Sequence, residues 1–402
     1  TTNKMNKILL TLAAAGIAFS AAADDTVNPD STGFKFTDVK IVKTTPVRDQ
    51  NKSGTCWCFS ANTFLESEIL NKTGKEVNLS EMFVVNHCYR DKAEKFIRMY
   101  GKLNFAQGGS IMDNVYVWRK YGMVPEEVYT GLNYGEDNHV HGELEAAAQG
   151  VVNAVVKNPN KKISTAWKNA LAGVLDAYLG SLPETFVYEG KTYTPQSFAA
   201  SLGLNMDDYV PVTSWTHHEF YKPCMVEVPD NWLCANSYNV PLADFEAIVD
   251  LSIENGHAVS WAADVSERGF NWKNGFALIP AEVDESTLEG TELSRWVKLS
   301  EKERQNKRFE IKGPVKEITV TQELRQEMFD SQETTDDHGM VIVGTATDQE
   351  GNKYYKVQNS WTDKQVYGGF FYVSRAYFLA KTLNILVHKS AIPADVAKKM
   401  QW

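Results

Sequence analysis

The amino-acid sequence predicts an α+β fold in which a mainly helical lobe precedes an antiparallel, β-rich lobe. Two observations indicate this order. Apolar residues recur at helical spacing from Cys56 towards Gly74, and the segment ends in a basic turn and a glycine. Far downstream, β-rich runs at 338–344 and 353–361 flank the polar turn 348–352, as in a hairpin. A chain of 402 residues can bury a core large enough for two lobes.

The helical lobe is expected over about residues 46–139. Its first helix starts at Cys56. A second helix follows Ser80, whose hydroxyl is typical of an N-cap, and a third is expected from Ser110 to Tyr121.

An insertion over about residues 140–250 is expected to separate the two lobes, with amphipathic helical stretches at 143–154 and 164–179. The β-rich lobe then occupies about residues 251–390. Within that lobe, residues 284–333 are highly charged and helix-prone, which predicts a solvated excursion.

Composition indicates a soluble protein and makes nucleic acid an improbable partner, since the formal net charge is −10 with 43% hydrophobic residues. The apolar run 8–23 follows Lys4 and Lys7 and ends in three alanines, which is typical of a signal peptide. We therefore expect a signal peptide over 1–23 and a mature chain over 24–402. The protein is expected to be exported, periplasmic or secreted, without stable membrane insertion after cleavage.

Five cysteines are an odd number for an oxidising compartment, which leaves at least one thiol free if the others pair. Cys56 is the candidate for the free thiol, and Cys58 and Cys88 are expected to pack in the core. Cys224 and Cys234 bracket a proline-containing loop and either pair or remain as two thiols.

The placement of Cys56 predicts a reactive thiol. A turn at Gly54 leads straight into the helix, so the cysteine lies at the helix N-terminus. Backbone N–H groups and the positive end of the helix dipole favour a thiolate, so we expect the pKa of Cys56 to be lowered.

The downstream hairpin predicts a base for that thiol. The midpoint between His338 and Asn359 falls inside the turn, so antiparallel pairing should set the two side by side to within about a residue. An Asn359 oxygen that accepts from the imidazole would fix its tautomer, and Trp361 would shield that bond from water. Asp337 is expected to tune His338 or to cap the strand.

These residues resemble the papain superfamily of cysteine peptidases, in which a Gln-x5-Cys-Trp segment, a His-Gly strand and an Asn-Ser-Trp strand occur in this order. The resemblance implies a papain-like two-lobe fold. It also assigns Gln50 to the oxyanion hole, Cys56 as nucleophile, His338 as base and Asn359 as the residue that orients the base.

The distance between motifs points to one branch of that superfamily. His338 lies 282 residues after Cys56, whereas about 130–150 residues separate these groups in common papain-like enzymes. The intervening chain resembles bleomycin hydrolases and aminopeptidase C, on four segments: 178–180, 194–198, 208–210 and 238–241. That branch implies an aminopeptidase that acts on peptides and assembles as a homohexamer. It also implies a C-terminal arm, here 391–402, whose terminal carboxylate lies in the cleft. The sequence of this arm departs from the family's usual ending.

Gly108 and Gly109 resemble the family's glycine-rich strand, where bare backbone can hydrogen-bond an extended peptide. We therefore predict that Gly108, Gly109 and Trp361 contact substrate. No cofactor and no metal is expected, because the pairs His217/His218 and His139/His141 lack a convincing set of partners and are interpreted as polar surface. Two alternatives stay open: an exported papain-like endopeptidase, and a non-catalytic peptide-binding or acyl-transferring member of the fold.

Overall fold

The computed structural model describes residues 29–401, so the predicted signal peptide lies outside the described residues. The helices are α1 (Cys56–Thr73), α2 (Glu81–Arg98), α3 (Asp113–Tyr121), α4 (Gly142–Val156), α5 (Ala166–Leu179), α6 (Pro195–Ser201), α7 (Leu242–Glu254), α8 (Gly290–Trp296), α9 (Glu301–Arg308), α10 (Gln322–Asp330), α11 (Arg375–Lys381) and α12 (Ala394–Lys399). The predicted α+β class is confirmed.

The strands are β1 (Thr37–Ile41), β2 (Phe186–Tyr188), β3 (Lys191–Tyr193), β4 (Tyr209–Thr213), β5 (Lys222–Met225), β6 (Asn236–Asn239), β7 (Val259–Ala263), β8 (Phe270–Asn271), β9 (Phe276–Ala277), β10 (His338–Thr347), β11 (Lys353–Gln358), β12 (Phe370–Ser374) and β13 (Thr382–His388). Eleven of them form one sheet, in the order β5-β6-β4-β13-β7-β10-β11-β12-β9-β8, with β1 also paired to β10.

Helix α1 lies at the junction of the two lobes. Its residues from Trp57 to Leu70 are buried without interruption, as expected of a helix that is covered on all sides. One side packs on β10 and β7, and another meets α2 and α3. The Ser60 hydroxyl donates to the Met340 carbonyl at 2.9 Å, which fixes α1 against the sheet one turn after its first residue.

The inserted chain contributes to both lobes. Helices α4 and α5 pack against each other and against α2, within the helical lobe. Strands β4, β5 and β6 extend the large sheet beyond β13. The loop 226–235, which joins β5 to β6, returns to the helical lobe, where Trp232 donates to the Asp113 carboxylate at 2.6 Å.

The charged stretch 284–333 is an excursion only in part. Helices α8 and α9 have no buried residue, as predicted. The prediction is wrong for α10, where Arg325 is fully buried. Its guanidinium donates to the carbonyls of Ser214, Leu379 and Thr382 at 2.9, 2.8 and 2.6 Å, and these bonds offset its loss of hydration.

The described part of the C-terminal arm packs on the side of the sheet remote from β10. Val396 and Met400 of the arm are buried, and Lys399 and Gln401 contact Tyr221 and Lys222 at the start of β5. Strand β5 is five strands from β10 in the sheet order. Residues 391–401 therefore do not enter the cleft, and Trp402, whose carboxylate the resemblance places there, lies outside the described residues.

No helix between residues 29 and 401 combines the length and apolar character needed to cross a membrane.

Replacing Arg325 with methionine should lower the free energy of unfolding by about 3 kcal/mol or more, because three buried carbonyls lose their donor. Denaturant titration at neutral pH measures this loss. Arg98→Met is the matched control, since Arg98 is 73% exposed and pairs only with Glu94 on its own helix. It should change stability by less than about 1 kcal/mol; equal losses in both variants would contradict the role given to Arg325.

Candidate active site

The nucleophile segment is held at the lobe junction by two close contacts. Cys56 is the first residue of α1, as predicted. The Gly54 N–H donates to the Gln107 side chain at 2.7 Å, and the Trp57 indole donates to the Gln107 carbonyl at 3.0 Å. On the other side, a Cβ on Gly339 would lie 2.9 Å from the Trp57 Cα, so only glycine lets β10 approach α1 this closely.

The structure brings His338 and Asn359 together. The His338 Nε2 and the Asn359 Oδ1 are 2.7 Å apart, and both residues are buried. With Nε2 as the donor, Nδ1 is left as the basic nitrogen. The Trp361 ring lies 4.7 Å from the imidazole, centroid to centroid, and covers it on one face.

The strand register differs from the predicted one. Val341 pairs with Gln358, so His338 is not a direct cross-strand partner of Asn359, which follows the end of β11. The ladder is centred at about residue 350, since Thr347 pairs with Lys353, and the register shift between Ile342 and Gly344 removes only part of the offset. The side chains still meet, because Asn359 reaches back across the last rung of the ladder.

Burial dominates the electrostatics of Cys56 and His338. Loss of hydration raises the pKa of Cys56 to about 12, against the lowering effect of the Gly339 N–H. The predicted lowering is therefore wrong, because the helix N-terminus and nearby N–H groups do not outweigh desolvation. Burial lowers the pKa of His338 to about 4, although its bond to Asn359 acts in the opposite direction. Burial therefore opposes a thiolate or an imidazolium formed alone, whereas proton transfer from the thiol to the imidazole creates two opposite charges together.

The side chain of Gln50, the residue assigned to the oxyanion hole by resemblance, is fixed by two hydrogen bonds. Its side-chain oxygen accepts from the Ser360 hydroxyl at 2.7 Å, which fixes the orientation of the amide. Its nitrogen donates to the Ser53 carbonyl at 2.7 Å, and the second N–H of this nitrogen remains for an oxyanion. The Gln50 backbone N–H also donates to the Ser360 carbonyl at 2.8 Å. Ser360, which directly follows Asn359, therefore positions Gln50 through both its backbone and its side chain.

Gly108 and Gly109 line the helical side of the cleft as an irregular segment, without the predicted strand. The ammonium group of buried Lys92 donates to the carbonyls of Ala106 and Gly108 and holds the segment from behind. A Cβ on Gly109 would lie 2.7 Å from the Trp57 ring, which explains a glycine there. Within residues 29–401, the Gly109 backbone makes no hydrogen bond and can pair with an extended peptide.

Sequence reasoning missed Lys92, Gly339 and Asp230 as site residues. Lys92 lies four residues after Cys88 on the buried face of α2. A lysine on an otherwise apolar helix face indicates a buried cation with a specific role, and this pattern is visible in the sequence. Gly339 was visible only as part of a motif. Asp230 belongs to the loop 226–235, which carries no periodic pattern, and only tertiary structure brings it to the cleft.

The remaining cysteines are free thiols. Cys58 and Cys88 are buried, as expected. Cys224 is buried while Cys234 is exposed and accepts from Lys95 at 3.3 Å, so the two do not pair here.

The two histidine pairs differ from each other. His139 and His141 are buried, so their assignment to polar surface is wrong. Burial lowers the pKa of His139 to about 4 and that of His141 to about 3, which keeps both rings neutral. His217 and His218 do lie at the surface, where both rings contact the Glu227 carboxylate.

The helix-borne thiol, the imidazole with its carboxamide partner and the fixed glutamine amide define a thiol peptidase. The chain belongs to the papain family: the description "Papain family cysteine protease" matches residues 33–243 and "Peptidase C1-like family" matches 311–402.

Relatives of similar length are aminopeptidases or bleomycin hydrolases by name. The chain is 23% identical to aminopeptidase G of Lactobacillus delbrueckii subsp. lactis, over 87% of this chain and 82% of that protein. It is 24% identical to aminopeptidase E of Lactobacillus helveticus (96% and 90%) and 24% identical to bleomycin hydrolase of Rattus norvegicus (87% and 82%). The crystal structure of PepW from Lactobacillus rhamnosis HN001 has the same fold, with a TM-score of 0.68, 21% identity and coverage of 94% and 87%.

His338→Ala should lower kcat/KM on a peptide substrate by about 1,000-fold or more, because it removes the group that takes the thiol proton. Asn359→Ala should cost less, about 10- to 100-fold, because it only disturbs the orientation of the imidazole. Steady-state kinetics between pH 6 and 8 measure both. Activity of His338→Ala equal to that of the parent would refute the assignment of the base.

Proposed function

We propose that this cysteine peptidase is an aminopeptidase that removes single residues from the N-terminus of peptides. The observation that carries the proposal is the position of the loop 226–235. A Cβ on Gly108 would lie 1.9 Å from the Asp230 carboxylate, so the loop packs directly on the glycine segment. The names of the relatives are consistent with this activity.

The closed side of the cleft is the side that takes the acyl portion of the substrate. His338, which protonates the leaving amine, lies with Trp361 on the β side of Cys56. The glycine segment lies on the helical side, where Trp57 is bonded to Gln107. The residues before the scissile bond therefore run along the glycine segment, and the loop leaves no room there for a long N-terminal extension.

The chemistry follows from the geometry. His338 Nδ1 accepts the Cys56 proton as Sγ attacks the carbonyl carbon of the first residue. The oxyanion that forms is stabilised by the Cys56 backbone N–H and the Gln50 side-chain N–H. His338 then gives its proton to the leaving amine, and a water molecule hydrolyses the thioester with His338 as base.

Two further properties are proposals that follow from the sequence alone. The bleomycin hydrolase resemblance supports a homohexamer, which light scattering of the purified protein would test by a mass six times that of the chain. The signal-peptide pattern over 1–23 supports export, and N-terminal sequencing of the mature protein from cell fractions would test it.

A matched pair of substrates tests the aminopeptidase proposal. An amino acid arylamide with a free amine should be cleaved about 100-fold faster, in kcat/KM, than its N-acetylated form, since the acetyl group meets the loop 226–235. The thiol-free variant Cys56→Ala gives the background rate for both substrates. Equal rates with both substrates would favour an endopeptidase.

Deleting Gln401 and Trp402 should leave the ratio of these two rates within about twofold of the parent. The described arm packs on β5, and this deletion keeps the buried residues Val396 and Met400 in place. The measurement is the same substrate pair on the truncated protein. A tenfold loss of the preference for a free amine would mean that the terminus, and not the loop, closes the cleft.

A further inference from the structure

The loop 226–235 brings a carboxylate to the closed end of the cleft. The Asp230 Oδ2 is the atom that a Cβ on Gly108 would meet at 1.9 Å, so this oxygen lies directly over the glycine segment. The other oxygen, Oδ1, accepts from the Asn104 side chain at 2.7 Å, which fixes the carboxylate in this orientation. Asp230 therefore presents Oδ2 to whatever occupies the adjoining space.

No ion pair within residues 29–401 satisfies this carboxylate. Lys92 is the cation that acts on Asp230, but its ammonium group donates to the Ala106 and Gly108 carbonyls. The Lys92 charge also faces the buried Asp113. A half-buried carboxylate with a free oxygen and no ion pair is an acceptor site for a cation.

The site is within electrostatic reach of the nucleophile. Asp230 and Asp336 both raise the pKa of the Cys56 thiol, and burial together with the charge of Asp230 raises the pKa of Asp336 to about 8. Asp336 lies two residues before His338, on the β side, and no hydrogen bond or ion pair neutralises it within the described chain. Asp336 is therefore mostly an uncharged carboxylic acid at neutral pH, and the negative charge on this side of the cleft belongs to Asp230.

We propose that Asp230 binds the α-ammonium group of the peptide substrate and so makes a free N-terminus a requirement for cleavage. This inference rests on the proposed aminopeptidase function. The ammonium group donates to Oδ2 of the Asp230 carboxylate. An N-acylated peptide brings no positive charge and meets the loop, so it is rejected by both electrostatics and shape.

The position of Asp230 over Gly108 suits a substrate in which a single residue precedes the scissile bond. In an amino acid the amine is separated from the carbonyl carbon by one atom, so an ammonium group must lie close to the attacking sulfur. Gly108 is followed by Gly109, where an added Cβ would lie 2.7 Å from the ring of Trp57. Trp57 in turn directly follows Cys56. An acceptor over Gly108 can thus hold the amine while the carbonyl carbon lies at Cys56.

The test separates charge from shape with two variants. Asp230→Asn keeps the size and the Asn104 bond but removes the charge. Its kcat/KM should fall about 30-fold or more on a free amino acid arylamide and change less than about threefold on the des-amino analogue, in which hydrogen replaces the amine. Asp230→Ala also removes bulk, so it should in addition gain activity on the N-acetylated substrate.

A matched control is Asp207→Asn, the same substitution in an exposed ion pair with Arg119. It should leave all three rates unchanged. If the parent shows no preference for a free amine, the aminopeptidase proposal fails and this inference fails with it. If the parent prefers the free amine and Asp230→Asn keeps that preference, the inference alone is overturned.

A second measurement needs no variant. Aminoethyl, methyl and sulfonatoethyl methanethiosulfonate carry positive, zero and negative charge, and each forms a mixed disulfide with Cys56. Each inactivation rate is divided by the rate of the same reagent with free mercaptoethanol, which corrects for intrinsic reactivity. The corrected rate should be about tenfold higher for the cationic than for the anionic reagent at low salt. High salt should reduce the difference. Equal corrected rates would show that no anionic site faces the nucleophile and would overturn the proposal.

Discussion

The contact between the start of α1 and β10 is the constraint on which the site depends. The nucleophile belongs to the helical lobe and the base to the β lobe, so their separation is set by how closely the two lobes pack. Gly339 decides this, because a Cβ there would lie 2.9 Å from the Trp57 Cα and 3.2 Å from the Cys56 carbonyl oxygen. The hydrogen bond from the Ser60 hydroxyl to the Met340 carbonyl holds the next turn of α1 equally close to β10. A change of one methyl group at this junction would therefore move the thiol away from the imidazole.

Close packing at the junction also sets the charge state of the pair. The same burial that protects the bond between His338 and Asn359 from water penalises an isolated imidazolium or thiolate. A neutral carboxamide suits this environment, because it orients the ring without adding a buried negative charge. The ion pair formed by proton transfer carries no net charge, so it is tolerated where either ion alone is costly.

The sequence predicts those features of the fold and the site that depend on local residue patterns. Glycine and cap signals located α1, and two β-rich runs located the hairpin that brings His338 to Asn359. The exact register was not encoded, because the ladder is centred about residue 350 and a bulge then shifts it partway back. Asp230 lies 174 residues after Cys56 in an aperiodic loop, and contacts of that loop with α2 and α3 place it at the cleft. The burial of Arg325 in a charged stretch and of His139 likewise depends on distant partners that no local pattern reveals.

The anchoring of the loop 226–235 explains how an insertion can set specificity with the accuracy that an exopeptidase needs. Trp232 is buried and bonded to Asp113 of α3, while Lys95 of α2 donates to the Leu233 carbonyl at 2.8 Å. The loop is therefore fastened by these bonds to the lobe that carries Cys56, while its two ends continue into β5 and β6 of the sheet that contains β10. The bonds to α2 and α3 hold an acceptor on this loop at a set distance from the sulfur, which lies on the same helical lobe.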